Sequence, residues 1–454
     1  MIGRRSVIAA ASLAAPGLAQ PHAAAPADLI GDIARRTFCF FWETSDPRTG
    51  LAPDRWPSKP FASIAATGFA LSAYPIGVAR GWITRAEART RTLRTLRSFV
   101  EARQGPQPDA AGYKGFFYHF LDAGLRRFGR CELSTIDTTL LLGGVLFAQS
   151  WFDAEHPDER AIRDLAERLY RAVDWSWAVV RPPFVSMGWT PEHGFIADDW
   201  NRYCECALLY LLALASPTHP LPAETWDAWT ATFDEAWVTK PQPHIAFAPL
   251  FGHQYSQCWV DFRGLRDRFG RARDLDYFEN SRRATYAQRD YAISNPLGFA
   301  GYGSDVWGLT ACDGPGDFTL DIAGRRRQFY GYSARGPGER DDGTLAPTAA
   351  LGSIAFAPGI VRPAAAALHA RYGRAIYGRY GFLDSFNPTL AGTHPPLKAG
   401  RMTPDGWVDG EWLGIDQGPI LMMIENLRSG LVWSTLRRNP HIRRGLERAG
   451  FTAK

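Results

Sequence analysis

The nine residues Ala-Leu-Leu-Tyr-Leu-Leu-Ala-Leu-Ala at 207–215 constrain the fold more than any other stretch. They present no polar face, and a helix that is apolar all round has to be buried on most sides. The rest of the chain is therefore organised around it. Just upstream, Asp198, Asp199 and Asn201 are helix-start residues. They predict one helix over 198–216, with Glu205 a turn inside its start. A buried carboxylate is costly to ionise and keeps its proton, which suits donation to a leaving oxygen. The plainer reading is that Glu205 caps the helix or pairs with an arginine such as Arg202.

Read in order, the chain predicts further helices over 27–43, 63–82, 85–104, 135–152 and 158–180 before this one. After it they fall over 223–233, 255–268, 276–295, 345–357, 361–372 and 418–438. An aromatic loop at 113–122 holds His119. Ser134 caps the helix whose first turn carries Asp137. Long loops rich in Gly, Pro and aromatics cover 296–315 and 377–416. Within 317–335, two alternating runs flank Gly324 and predict a strand pair, 318–322 with 328–332. Twelve helices with few strands make an all-α chain. Alternating pairs suit a double-layered ring, an (α/α)6 barrel or toroid, with long loops and a small β-hairpin on one rim. A superhelical array of helices would give the same count. Neither a fixed-period repeat nor a low-complexity linker divides the chain. Residues 27–454 are thus expected to form one domain, and 454 residues at 46% hydrophobic suffice for a large core.

Residues 1–25 read as an export signal: Arg4-Arg5, a short apolar core, then small residues around Ala19–Ala25. The adjacent arginines resemble a twin-arginine signal, so a periplasmic or secreted bacterial protein is expected. The whole chain carries +5, and removal of the signal leaves +3. Without a basic run interleaved with aromatics, nucleic-acid binding is not expected. No later apolar run is long enough to span a bilayer. The six cysteines (39, 131, 204, 206, 258 and 312) include no C-x-x-C pair, and they read as buried small apolar groups. Cys204 and Cys206 would point to different sides of the predicted helix, which makes them poor joint metal ligands. His119 and His253 form neither H-x-x-H nor H-E-x-x-H. No P-loop, dinucleotide fingerprint or nucleophile elbow is present. No metal and no cofactor are expected, and the protein is expected to be a monomer.

Several motifs occur in a specific order: Ser134-Thr-Ile-Asp-Thr-Thr-Leu-Leu-Leu, Tyr203-Cys-Glu-Cys-Ala-Leu-Leu-Tyr and Ala215-Ser-Pro-Thr-His-Pro. They are followed by Phe251-Gly-His-Gln-Tyr-Ser, Trp307-Gly-Leu-Thr, Asp342-Gly-Thr-Leu-Ala-Pro-Thr-Ala and Gly414-Ile-Asp-Gln-Gly-Pro. Together, from about Phe38 to Phe451, the chain resembles the bacterial glucoamylase-like domain family, which includes endo-β-1,2-glucanases and the cyclase domains of cyclic β-1,2-glucan synthases. The resemblance implies an (α/α)6 toroid and a glycoside hydrolase acting on β-1,2-glucan, whether within chains or from an end. It also implies that Glu205 is the general acid. One position departs from the pattern: Cys204 stands where the family usually has Asn.

Glycoside hydrolysis needs a second carboxylate to activate water or attack the anomeric carbon. The candidates are Asp137, Asp342, Asp384 and Asp416. For Asp137 the bland role is a helix-dipole partner, for Asp342 a turn former, and for Asp416 an N-cap. Glu411 and Glu425 are weaker choices. Sugars need flat aromatic faces and planar polar groups. Trp42, Arg55, Trp56, His119, Trp200, Tyr203, His253, Gln254, Tyr255, Trp307 and Trp412 could supply them, though several of these will belong to the core. Two other functions remain open: a β-1,2-glucan transglycosylase, and a periplasmic glucan-binding or maturation protein without catalysis.

Overall fold

The computed structural model describes residues 26–453. Fifteen α-helices run along them: α1 (Leu29–Thr44), α2 (Ile64–Ala79), α3 (Arg85–Glu101), α4 (Thr135–Trp151), α5 (Pro157–Ala172), α6 (Ala207–Ala215), α7 (Glu224–Thr230), α8 (Phe251–Trp259), α9 (Arg268–Arg273), α10 (Tyr277–Ser294), α11 (Pro347–Leu351), α12 (Pro358–Ile376), α13 (Gly414–Arg428), α14 (Leu431–Leu436) and α15 (Pro440–Arg448).

Their sequences sort them into two layers. Helices α2, α4, α6, α8, α11 and α13 are buried along most of their length. Helix α5 buries only a stripe through Ile162, Ala166, Leu169 and Tyr170, as a surface helix should. The six buried helices close a ring. Helix α2 packs on α4 and on α13, α4 packs on α6, and α11 packs on α13. Between α6 and α8, the Leu208 N–H donates to Ser256 Oγ. Between α8 and α11, Gln254 Nε2 donates to the Ala349 carbonyl and to Ser353. Helices α1, α3, α5, α10 and α12 pack outside this ring, and α15 packs on α6. The molecule is the expected α/α toroid.

The α2–α4 contact depends on two glycines. A Cβ on Gly144 would run into the backbone of Gly68, and one on Gly68 into the backbone of Leu140. Gly144→Ala is therefore expected to destabilise the fold by about 1–3 kcal/mol through overpacking, read as a lower midpoint in urea. An unchanged midpoint would show that the two helices can separate freely.

Local signals set most helix starts. Ser63 accepts from the Ala66 N–H, Ser134 from the Asp137 N–H, and Thr84 with Glu87 forms a capping box. The central helix is different. The expected start at Asp198 is not used: residues 198–206 are turns and irregular backbone, and α6 begins only at Ala207 with no side-chain cap of its own. Ser256 of α8 serves instead, accepting from Leu208 and donating to the Glu205 carbonyl. Glu205 thus lies before the helix. Cys204 and Cys206 do not diverge on a helix either, and their Sγ atoms lie 3.0 Å apart. All six cysteines are free thiols, with Cys39 and Cys131 only half-buried.

Other boundaries also move. The fifth helix stops at Ala172, and a 3-10 turn, Trp175–Ala178, follows it. Of the helix expected over 255–268, only 255–259 is helical, as the end of α8; loop and a short strand follow, and α9 starts at Arg268. The last expected helix begins earlier and breaks at Gly430, where φ is +65°. Helix α15 was not expected. The 113–122 loop is built from short strands, and a five-stranded sheet joins Gly112–Tyr113, Phe116–Tyr118, Leu133–Ser134, Gly188–Thr190 and Gly194–Phe195. The hairpin forms, but its second strand is Arg325–Phe329, paired with Phe318–Ile322. Ala323 and Gly324 both take positive φ and close a two-residue turn. That register leaves residues 330–332 outside the hairpin. The expected export signal lies outside the described residues. No helix among those described is long and apolar enough to cross a membrane.

Candidate active site

Carboxyl groups gather where the inner helices begin and the long loops fold over them. Ser134, the cap of α4, also donates to Asp137 Oδ2 at 2.5 Å. The strand pairing Tyr118↔Leu133 brings His119 above that helix start. His119 Nδ1 lies 2.8 Å from Glu132 Oε1, and its Nε2 lies 3.5 Å from Asp137 Oδ1. Burial alone would lower the imidazole, but Asp137 and Glu132 outweigh it and push His119 up to about 9. It is an imidazolium at neutral pH. Burial raises Asp137, against the pull of His119 and Ser134.

Glu205 stands near this trio. It is 8% exposed, and its Oε2 has no hydrogen-bond partner. Arg202 does not reach it; that side chain points outward, 3.9 Å from Glu235. Burial, with a smaller contribution from Asp137, pushes Glu205 up to about 7. Its carboxyl is substantially protonated at neutral pH.

A second group comes from the late loops. The pairing Arg55↔Leu413 and the Gly414 N–H donated to the Asp54 carbonyl hold residues 54–56 against the start of α13. Arg55 bridges Asp54 at 2.9 Å and Asp313 at 2.7 Å. The Asp313 N–H in turn donates to Asp384 Oδ2 at 2.7 Å. Asp384 and Asp416 lie close enough that each acts on the proton affinity of the other. Burial, then Asp416 and Asp313, drives Asp384 well above the usual carboxylate range. Burial also lifts Asp416 up to about 7 and Asp409, beside Asp384 and Asp313, up to about 9. The other oxygen of Asp384, Oδ1, is buried without a partner. Tyr255 of α8 lies near both groups, within electrostatic reach of Asp416 and Glu205.

Two trios among the described residues bring potential ligand atoms within 4.8 Å of one another: His119, Glu132 and Asp137, and Asp313, Asp384 and Asp409. In the first, both ring nitrogens already face carboxylates. In the second, Arg55 occupies Asp313. A cavity of about 720 Å³ elsewhere, between the end of α3 and α5, is walled by Phe99, Tyr113, Lys114, Arg168 and His219. It contains no paired carboxyls, so its size does not mark the chemistry.

A buried acid of raised proton affinity and a second group of carboxyls, on a ring of six helices, supply the two kinds of carboxyl that glycoside hydrolysis requires. The profile of a family described as "Putative glucoamylase" matches residues 197–440, more than half of the chain. The chain belongs to this glucoamylase-like family. It is 30% identical to a putative glucoamylase from Bacteroides uniformis, with a TM-score of 0.78 over 93% of this chain and 97% of that one. An endo-β-1,2-glucanase from Chitinophaga pinensis, solved with sophorotriose and glucose, is 26% identical with the same TM-score, over 93% and 98% of the two chains. A curated relative, an exo-β-1,2-glucooligosaccharide sophorohydrolase of Parabacteroides distasonis, is 27% identical over 92% of this chain. The chain spans 57% of that relative's length.

In this glucoamylase-like chain, the residues expected from sequence separate sharply. Glu205, Asp137, His119, Arg55, Tyr255, Asp384 and Asp416 come together. Asp416 lies in the first turn of α13 and is not its cap. Asp342 does not join them. It is fully buried in a pair with Arg335, at 2.9 and 3.0 Å, and also accepts from the Thr344 and Tyr330 N–H groups. Every face of its carboxylate is taken. Glu425 is likewise closed, paired twice with Arg80, while Glu411 accepts from the Ser58 N–H.

Most expected sugar contacts are structural. Trp42 sits under the Arg91 guanidinium on the outer layer. Trp200 ties the turn before α6 to Thr135. Tyr203 bonds His253, which burial lowers to about 3 and keeps neutral. Gln254 joins α8 to α11, and Trp307 is core at 1% exposure. Trp56 and Trp412 pair across a short ladder beside Arg55, where Trp412 also bonds the Gly381 carbonyl. Asp54, Asp313, Asp409 and Glu132 were not among the residues selected from sequence. Asp313 and Asp409 each precede glycine, so they look like turn formers. The only local clue was Asp54, next to Arg55.

Proposed function

We propose that this chain is a glycoside hydrolase that cleaves β-1,2-glucan to short oligosaccharides, with residues 27–454 acting as one catalytic domain. Glu205 donates its proton to the leaving glycosidic oxygen. The Asp384–Asp416 pair holds the carboxylate that works on the other side of the bond, either on water or on the anomeric carbon. Asp137 and the His119 imidazolium orient the sugar beside Glu205. The observation that supports this reading most is the buried Glu205 carboxyl, protonated near neutral pH and without any internal partner for Oε2. An acid that caps or pairs would have one. The β-1,2 linkage is inferred from the substrates named for the relatives. The leader-like first 25 residues support action in the periplasm or outside the cell.

Incubation of the purified protein with linear β-1,2-glucan, beside β-1,3-, β-1,4- and α-1,4-glucans, tests the reading. Short products from the β-1,2 polymer alone are expected, and a ladder or a single product separates internal from terminal cleavage. Larger or cyclic products would instead establish transglycosylation. No product from any of the four would overturn the assignment.

A further inference from the structure

Tyr332 is one of the few large apolar side chains that stay exposed, at 60%. It lies beside the acid group of the candidate site, near enough for Asp416, Asp384, Cys312 and Asp54 to act on its phenol. Tyr255 is within electrostatic reach of both Tyr332 and Glu205. The backbone places it there independently. The antiparallel pairing Cys312↔Ser333 sets Tyr332 across from Asp313, the residue that binds Arg55 and donates to Asp384.

An exposed ring on a loose loop would mean little, but this loop is held from beneath. Arg335 is fully buried and directs its guanidinium at the backbone of the same turn. It donates to the carbonyls of Tyr330 at 3.1 Å, Gly331 at 3.0 Å and Cys312 at 2.8 Å, while Asp342 neutralises it with two bonds. The Tyr330 N–H is bound by Asp342 as well. A buried ion pair is a costly way to shape a turn. Here it holds the backbone that carries Tyr332 while the ring stays largely exposed, which is the condition for a preformed ligand wall.

We propose that Tyr332 is a substrate-contacting residue, a flat face on which a glucosyl ring stacks beside Asp384–Asp416, and that Arg335–Asp342 is the clamp that aims it. This rests on the glucanase reading. The pyranose offers a C–H face that an aromatic ring covers, and its hydroxyls are left for the acids and Arg55.

Tyr332→Ala and Tyr332→Phe test it, since an exposed side chain can be changed without opening the core. With β-1,2-glucan, Tyr332→Ala is expected to raise KM about tenfold with a smaller change in kcat, and Tyr332→Phe to stay close to wild type. The same three proteins titrated calorimetrically with a β-1,2-linked glucopentaose should show the matching loss of affinity. Wild-type KM and affinity in Tyr332→Ala, in a protein that cleaves the glucan, would overturn the stacking role and leave the glucanase reading intact. Loss of kcat in Tyr332→Phe would overturn it too, by giving the work to the hydroxyl. Absence of both cleavage and binding in wild type would overturn both.

Discussion

Glu205→Gln is expected to lower kcat on β-1,2-glucan by about 10²–10⁴-fold, the range for loss of a general acid, while binding of the glucan persists. The amide fills the same space and cannot donate a proton to the leaving oxygen. The pH dependence follows from the same group. In wild type, the acid must carry its proton, so activity falls as pH rises through about 7. Stability moves in parallel. Glu205 has a higher pKa folded than unfolded, so the folded state holds the proton more tightly. Its contribution is fully present below the unfolded value of 4.5 and is lost as pH rises toward and through about 7. At pH 8, burying the ionised carboxylate costs up to about 3 kcal/mol, a cost the glutamine does not have. Glu205→Gln should therefore be nearly inactive yet more stable than wild type at pH 8, and close to it at pH 4. Melting curves at the two pH values beside steady-state rates check both halves. Substantial residual kcat would remove Glu205 from the proton donor's role.

Asp342→Ala is expected to cost about 3–5 kcal/mol of stability, because it strands the fully buried Arg335 without its counter-charge. Urea unfolding measures this directly. Asp384→Asn provides the contrast: it removes one member of the Asp384–Asp416 pair, and should lose turnover without a comparable loss of stability. The two carboxylates look alike in sequence, each in a Gly- and aromatic-rich loop. If Asp342→Ala unfolds at the wild-type urea concentration and only kcat falls, the closed ion pair is the wrong description of that residue.

The two aspartates show where sequence stops being informative. A turn-forming Asp-Gly and a catalytic Asp in a loop have the same local signature. What separates them is an arginine seven residues away for Asp342, and a second carboxyl from the start of α13 for Asp384. The same limit explains the misplaced aromatics. Tyr203 and Trp307 occur in motifs that resemble the family's, and Trp200 just before one of them, yet their polar atoms face inward, where Trp200 and Tyr203 bond Thr135 and His253. Tyr332 was missed because its stretch alternates like a strand, and the hairpin ends three residues sooner than alternation suggests.

Sequence alone determined the layering of this protein. The all-apolar run at 207–215 forced an interior helix, and Ser134 marked the start of the helix that carries Asp137, because these properties depend on residues within one or two turns. The carboxylate of Glu205 could be singled out for the same reason: it adjoins a helix that must be buried. Only the tertiary structure decided where that helix begins, since its cap is Ser256 from a neighbouring helix. It alone also decided which acids meet. Asp313, Asp384, Asp409 and Asp416 come from loops far apart in the chain and from a helix start, and their raised proton affinity comes from burial beside one another, an energy that no single segment contains.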